Sequence, residues 1–492
     1  MKKILSHLPT VTPLNVDVLH TRSNASAGLW LVILLPLACS PGLYETYSHC
    51  TPTPKLLALL AFQVGVSGIH LYHKFCLSEK QQNGEQKKPE TSFLGRYVLH
   101  PYMPALITAV ALSLLADISP AVATIITSIC LSIMYTSTKW LLTNFPGSFT
   151  LGEGALLGQA AALSVTCSIY SLIQTALSQQ QLSETQETSV FIQTAVLVVF
   201  LFTVGLYKLP SLRTPQVFVP YICLSGAAGV VVSSLIMGQW SPLWLFEIIS
   251  TKPTRQILMA WWSGLTVLSV VTTMIAKRTN KLPTTILRKV YHVIIVLVFT
   301  PGIMFEPTLT QLASTAALML CWILECVRDL KIEPLASMIY DAFVVFLDEK
   351  DTGSLILSHV YLLAGVAAPL WISPCPLKES PIELEAAGTL LPLLAGILAV
   401  GVGDTAASVG GTYFGKRHWF GTRKTVEGSL CGIVAQMLLV GLLVSLGMIK
   451  MSLPAWGRFF VSAIIVAIVE ALTDQVDNIV LPLLMYTPLM DI

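Results

Sequence analysis

The sequence predicts an all-α polytopic integral membrane protein with about 14 to 15 membrane-crossing helices. Three observations carry that expectation. Only 11% of the 492 residues are Asp, Glu, Lys or Arg, less than half the roughly 25% usual in soluble chains. A further 54% are apolar or aromatic, so most of the surface must meet lipid. Apolar runs close to the roughly 20 residues that cross a hydrocarbon core recur along the chain. Disorder, collagen and a soluble multidomain enzyme are excluded. The formal net charge of +2 gives no reason to expect a nucleic-acid partner.

In chain order the first eight runs lie near 28–43, 56–73, 100–116, 121–137, 154–172, 190–207, 218–238 and 256–276. A second group lies near 290–306, 309–326, 355–373, 389–404, 429–449 and 458–472, with a short apolar tail at 479–490. Uninterrupted runs lack the alternation of barrel strands, so helices are expected throughout. The start, Met1-Lys-Lys-Ile-Leu, is basic without an adjoining apolar stretch, and no cleaved leader is expected.

Orientation follows from where the cations collect. The 277–289 loop holds Lys277, Arg278, Lys281, Arg288 and Lys289 and no acid, which makes it cytoplasmic. Six spans earlier, the 74–96 loop carries Lys74, Lys80, Lys87, Lys88 and Arg96 and falls on the same side. Counting forward brings 327–352, 405–428 and 473–478 to that side too. These segments hold nearly all the dense polar chemistry of the C-terminal half. The sequon Asn24-Ala25-Ser26 also falls there and should be unmodified. The ten cysteines are scattered singly, which indicates neither a disulfide framework nor a zinc site.

The densest polar stretch runs from Gly401 to Gly428. On an α-helix, Gly401, Asp404, Ser408 and Gly411 would share one stripe. Four cations follow among glycines: Lys416, Arg417, Arg423 and Lys424. Amide donors, bidentate Arg and point-charge Lys are what a polyphosphate needs. Gly410 to Lys416 spells GxxxxGK, but Arg417 stands where a P-loop requires Ser or Thr, and no strand precedes it. A P-loop is therefore rejected. The plainer reading is a basic membrane-surface loop in which Asp404 pairs with a cation.

Other clusters reinforce the chemical reading. Glu470, Asp474 and Asp477 are spaced four and three apart, as on one helical face, and suggest a divalent-metal site. Arg288 and His292 open a span, where such a histidine more often packs than reacts. Glu325 and Arg328 are spaced for a local salt bridge. The acidic segment Phe346 to Gly353 has the composition of a turn that caps the next helix.

These blocks together resemble the dolichol kinase family. GVGDTAAS at 401–408 and FGTRKTVEGS at 420–429 are similar to its CTP-binding region. RKVYH at 288–292, FLDEKDTG at 346–353, SHVYLLAG at 358–365 and DQVDNIVLPL at 474–483 follow the same order, and FTLGEG at 149–154 adds a weaker likeness. The Gly-Asp-Thr and Lys-Thr-x-Glu-Gly elements also resemble the wider polyprenol kinase and phosphatidate cytidylyltransferase group. Two positions depart from the family pattern: Phe420 in place of proline, and Asp474 in place of a neutral residue.

The resemblance implies transfer of the γ-phosphate of CTP to the hydroxyl of dolichol at the cytoplasmic face of the endoplasmic reticulum. It divides the chain into a multi-span region at 1–280 without an assigned role and a kinase domain at 281–492. It implies that Thr412, Tyr413, Gly415, Lys416, Arg417, Trp419, Gly421, Thr422, Arg423, Lys424, Thr425 and Glu427 hold the nucleotide. On this reading Lys416, Arg417, Arg423 and Lys424 grip the phosphates, and Thr422 and Thr425 donate to their oxygens. Glu427 orients Lys424 or reads the cytosine amine. Asp404, Lys424 and Asp477 are the catalytic set, with Mg²⁺ held by Asp404 and Asp477. Asp404, Asp351 and His292 are candidate general bases. A cytidylyltransferase attacking the α-phosphate is the alternative enzyme. A transporter is a third reading, disfavoured because the polar groups lie at span ends.

Overall fold

The computed structural model describes residues 21–22, 25–43, 53–82, 102–178, 180–279, 284–344, 347, 350–373 and 390–490. Asn24 of the sequon, and Phe346, Asp348 and Glu349 of the acidic segment, lie outside them. Among the described residues the regular structure is helical, with one isolated bridge, His418 to Thr425. Among the described residues ten helices are long and apolar enough to cross a bilayer, and three shorter apolar ones occupy Leu29–Leu43, Met103–Leu115 and Ser358–Ile372. The 389–404 run is described from Leu390 and is helical without reaching that length. Among the described residues Cys39, Cys130, Cys167, Cys223, Cys321, Cys326 and Cys431 form no disulfide.

The chain forms two compact units. The first comprises Met1–Pro36, Lys55–Thr166 and Thr352–Ser354. Its helices are α1 (Thr53–Gln82), α2 (Met103–Leu115), α3 (Pro120–Asn144) and the first part of α4 (Leu151–Ser178). The FTLGEG block starts α4 with a reciprocal cap: Thr150 Oγ1 accepts from the Glu153 N–H, and Glu153 Oε2 accepts from the Thr150 N–H. The other Glu153 oxygen accepts from Arg22 Nη2 at 2.7 Å, both side chains being almost fully buried. Gln159 Nε2 donates to the carbonyls of Val32 and Val64, satisfying a polar group that lipid could not.

The second unit comprises Leu37–Pro54, Cys167–Asp351 and Leu355–Ile492. Helices α5 (Glu184–Lys208), α6 (Pro215–Met237), α7 (Ser241–Ser250) and α8 (Pro253–Thr279) come first. Ser183 caps α5 in a capping box with Gln186, and α6 and α8 start on prolines, whose missing N–H costs nothing in a first turn. The outer faces of α5 and α6 show Leu201, Leu224 and Leu235 to lipid. At the helix ends Arg255 is buried between Glu184 and Glu306.

Then come α9 (Thr284–Phe305), α10 (Pro307–Asp329), α11 (Leu335–Phe343) and α12 (Ser358–Ile372). Arg328 forms the expected bridge with Glu325, which also accepts from the Ile356 N–H. After the helical residues Leu390–Leu393, a π-helical stretch, Ile397–Asp404, runs directly into α13 (Thr405–Phe414). The chain closes with α14 (Val426–Ser445), α15 (Leu453–Leu472) and α16 (Asp477–Leu489). The π-helical stretch packs against α9, α14 and α16, and α13 lies along α14. That last approach requires glycine: a Cβ on Gly428 would stand 2.6 Å from the Ala407 carbonyl oxygen.

Candidate active site

The carboxylate of Asp404 leaves the last π-helical residue. A π-turn widens the helix by one residue and changes which side chains share a face. The stripe expected of Gly401, Asp404, Ser408 and Gly411 is accordingly broken, with Gly401 buried and Ser408 exposed. Asp404 meets α9 instead. Its Oδ2 lies 2.5 Å from Lys289 Nζ and 3.2 Å from His292 Nε2. His292 Nδ1 is 2.8 Å from the Arg288 carbonyl, a pure acceptor, so that nitrogen carries a proton and Nε2 is the atom turned to the carboxylate. His292 is thus more than a packing residue.

Asp477, at the start of α16, forms the second centre. Its Oδ2 is 3.1 Å from Lys350 Nζ and 3.7 Å from Lys424 Nζ. Lys350 also donates to the Gln475 carbonyl at 2.7 Å, and Lys424 to the Glu470 carbonyl at 2.7 Å and to Glu470 Oε1 at 3.4 Å. The two centres share one field. Burial disfavours charge on Lys424, yet Glu470, Asp477 and Asp404 outweigh it and raise its pKa above the ordinary lysine value. Burial would likewise raise the Asp477 pKa, but Lys350 and Lys424 hold it below the usual carboxylate range.

The three acids expected on one helical face do not share one. Helix α15 ends at Leu472, and Thr473–Val476 is irregular, so Asp474 and Asp477 leave the line of Glu470. Glu470 and Asp477 meet again only through Lys424, while Asp474 Oδ1 accepts from Gln475 Nε2. Among the described residues no three His, Cys, Asp or Glu side chains are arranged to hold a metal.

The loop between α13 and α14 is a small hairpin. The Trp419 N–H donates to the Lys424 carbonyl and the Val426 N–H to that of Arg417. At its tip the Thr422 N–H reaches the Trp419 carbonyl, with Gly421 at φ 73°, the left-handed position that glycine takes without strain. Glu427 Oε2 accepts from the N–H groups of Lys416 and Arg417, so those amides are already engaged and Glu427 acts on the main chain. Thr425 caps α14 by accepting from the Gly428 N–H, and Thr412 donates back to the Ser408 carbonyl. Thr422 Oγ1 accepts from the Lys424 N–H and Trp419 Nε1 donates to Ser429. Gly415 donates its N–H to Gly411 at the end of α13. Tyr413, Lys416, Arg417 and Arg423 are exposed.

The fold therefore brings Asp404, Lys424 and Asp477 together and leaves Lys416, Arg417 and Arg423 outside that cluster. It adds two lysines that sequence reasoning passed over. Lys289 has no acid within four residues on its own helix, a sign that its partner lies elsewhere in the chain. Lys350 sits between Glu349 and Asp351, and those neighbours mask its distant partner. Asp351 is engaged otherwise: its oxygens accept from the Leu357 N–H and from Ser358 Oγ, where α12 begins.

A sequence profile of the dolichol kinase family matches residues 109–462. The chain belongs to the dolichol kinase family. The family match includes Lys289, Lys350, Asp404 and Lys424, while Glu470 and Asp477 lie beyond it. The mouse dolichol kinase is 40% identical over 258 residues, 50% of this chain and 47% of the relative. The Arabidopsis thaliana dolichol kinase EVAN is 30% identical over 386 residues, 71% of this chain and 66% of the relative. The baker's yeast (Saccharomyces cerevisiae) dolichol kinase is 30% identical over 197 residues, 40% of this chain and 34% of the relative. The chain spans about half the length of the mouse and human relatives it matches. No solved structure matches it. Like its family, it is a multi-pass membrane protein.

Proposed function

We propose that this chain is a dolichol kinase, transferring the γ-phosphoryl group of CTP to the terminal hydroxyl of dolichol and releasing CDP. The observation that carries the reading is the meeting of Asp404, Glu470 and Asp477 with Lys289, Lys350 and Lys424 where apolar helices end. Phosphoryl transfer asks for position and charge neutralisation more than for covalent help. A cluster of both signs at a membrane boundary supplies that to a soluble nucleotide and a lipid alcohol together. The α13–α14 loop, Thr412 to Glu427, receives the nucleotide, with Glu427 fixing its bend. The basic loops at 74–96 and 277–289 support a cytoplasmic site, in the endoplasmic reticulum membrane.

Mg²⁺ is usually held by one or two carboxylates together with substrate phosphates, not by an all-protein cage. Asp404 and Asp477 are that number of hard oxygen donors, so the residues fit the ion without a third protein ligand. When bound, it would neutralise charge on the transferring phosphate oxygens. With Asp351 spent on α12, the alcohol's proton passes to the Asp404–His292 pair, whose reactive atoms stand 3.2 Å apart.

The test is purified protein with γ-labelled CTP, dolichol and Mg²⁺, read by lipid extraction. Label in the lipid with CDP released is the expected result. No label in the lipid, with labelled pyrophosphate released instead, would replace the kinase by a cytidylyltransferase.

A further inference from the structure

We propose that the cations that bind the polyphosphate are Lys289, Lys350 and Lys424, three lysines from separate segments, and not the exposed loop cations Lys416, Arg417 and Arg423. The inference rests on the kinase reading only for the identity of the nucleotide. Each of the three ammonium groups is held on a carboxylate and on a main-chain carbonyl. Lys289 is on Asp404 Oδ2 and the Asp404 carbonyl, and Lys350 on Asp477 Oδ2 and the Gln475 carbonyl. Lys424 is on Asp477 Oδ2, Glu470 Oε1 and the Glu470 carbonyl.

Their side chains are 20%, 27% and 40% exposed, recessed but open to a ligand. Charge pairs gain far more in such a recess than at a fully wet surface, where water and salt screen them. The loop cations stand on the wet side of that division. An ammonium is a compact charge with three donors, so it can exchange a carboxylate for a phosphate oxygen without rebuilding its surroundings. Carboxylates and phosphate oxygens must then compete for the same lysines. In the free protein Asp404, Glu470 and Asp477 hold the places that a polyphosphate would take.

That competition has a sign that ordinary damage does not share. The probe is inorganic tripolyphosphate, without nucleoside and with EDTA present, titrated calorimetrically into the purified full chain in lipid nanodiscs. Lys289→Met and Lys350→Met are expected to weaken binding by roughly ten-fold or more. Arg417→Met and Arg423→Met should change it by less than about three-fold. Asp477→Asn removes the carboxylate charge from Lys350 and one of the two from Lys424 and should tighten binding several-fold, whereas a merely destabilised site would bind less. Lys350→Arg, which keeps the charge, should recover part of the loss. Loss of binding in the loop variants alone would overturn the proposal. So would an Asp477→Asn protein that binds as weakly as Lys350→Met. The expected pattern in a protein that labels no dolichol would sink the kinase reading and leave the lysine cradle supported.

Discussion

Lys350 and Lys424 converge on one oxygen, Asp477 Oδ2, from positions 74 residues apart in the chain. Two cations on a single carboxylate oxygen hold its side chain in one orientation and keep it ionised. At Asp404 one cation, Lys289, and the imidazole of His292 meet a single carboxylate oxygen. Carboxylates held this way are fixed in orientation in the free protein, as a preorganised site requires.

Asp404→Asn keeps the shape of the side chain and removes its charge. Lipid phosphorylation should fall by at least about 100-fold, while the protein elutes from a sizing column as the wild type does. Unchanged turnover would take Asp404 out of the chemistry.

Asp477 and Lys424, both outside the spans, give the stability of the cluster a pH dependence. The Asp477 pKa is lowered, so its contribution is present above the unfolded value of about 3.9 and is lost as pH falls through the lower folded value. The Lys424 pKa is raised, so its contribution is present below about 10.4 and is lost as pH rises through the higher folded value. Removing one cation with Lys350→Met raises the folded Asp477 pKa and should move the acid limb of the melting profile, followed by tryptophan fluorescence, to higher pH. Superimposable acid limbs would contradict the pairing.

Gly428→Ala places a methyl group 2.6 Å from the Ala407 carbonyl oxygen, a main-chain atom with no rotamer to yield. Separation of α13 from α14 should cost about 1–3 kcal/mol. A lowered melting temperature would show it, and an unchanged one would mean that the two helices pack less closely.

Arg22→Met leaves the buried Glu153 carboxyl without its bridge in the interior of the first unit. Breaking a buried pair from one side typically costs about 3–5 kcal/mol. The variant should express poorly or melt early, and Arg22→Met with Glu153→Gln together should recover much of the loss. No recovery in the double variant would mean that Arg22 packs rather than pairs.

The bridge between Glu325 and Arg328 was legible in advance because its partners lie three residues apart, within one helical turn. The cluster's internal pairing was not. Nothing near Lys289 announces Asp404, 115 residues away, and the acids beside Lys350 point to a local turn. The three-acid face failed because α15 stops at Leu472, and the glycine stripe failed because Ile397–Asp404 is π-helical.

By itself the sequence determined the membrane class, the helices and the dense polar segments, and singled out Asp404, Lys424 and Asp477 within them as candidates. Transfer of apolar side chains into lipid is a near-additive property of consecutive residues, so a linear reading captures it. Only the tertiary structure decided which cation faces which carboxylate, and that Lys289 and Lys350 belong with Lys424 while the loop cations remain in water. Coulomb energy depends on separation in space and on local burial, and neither is a function of distance along the chain.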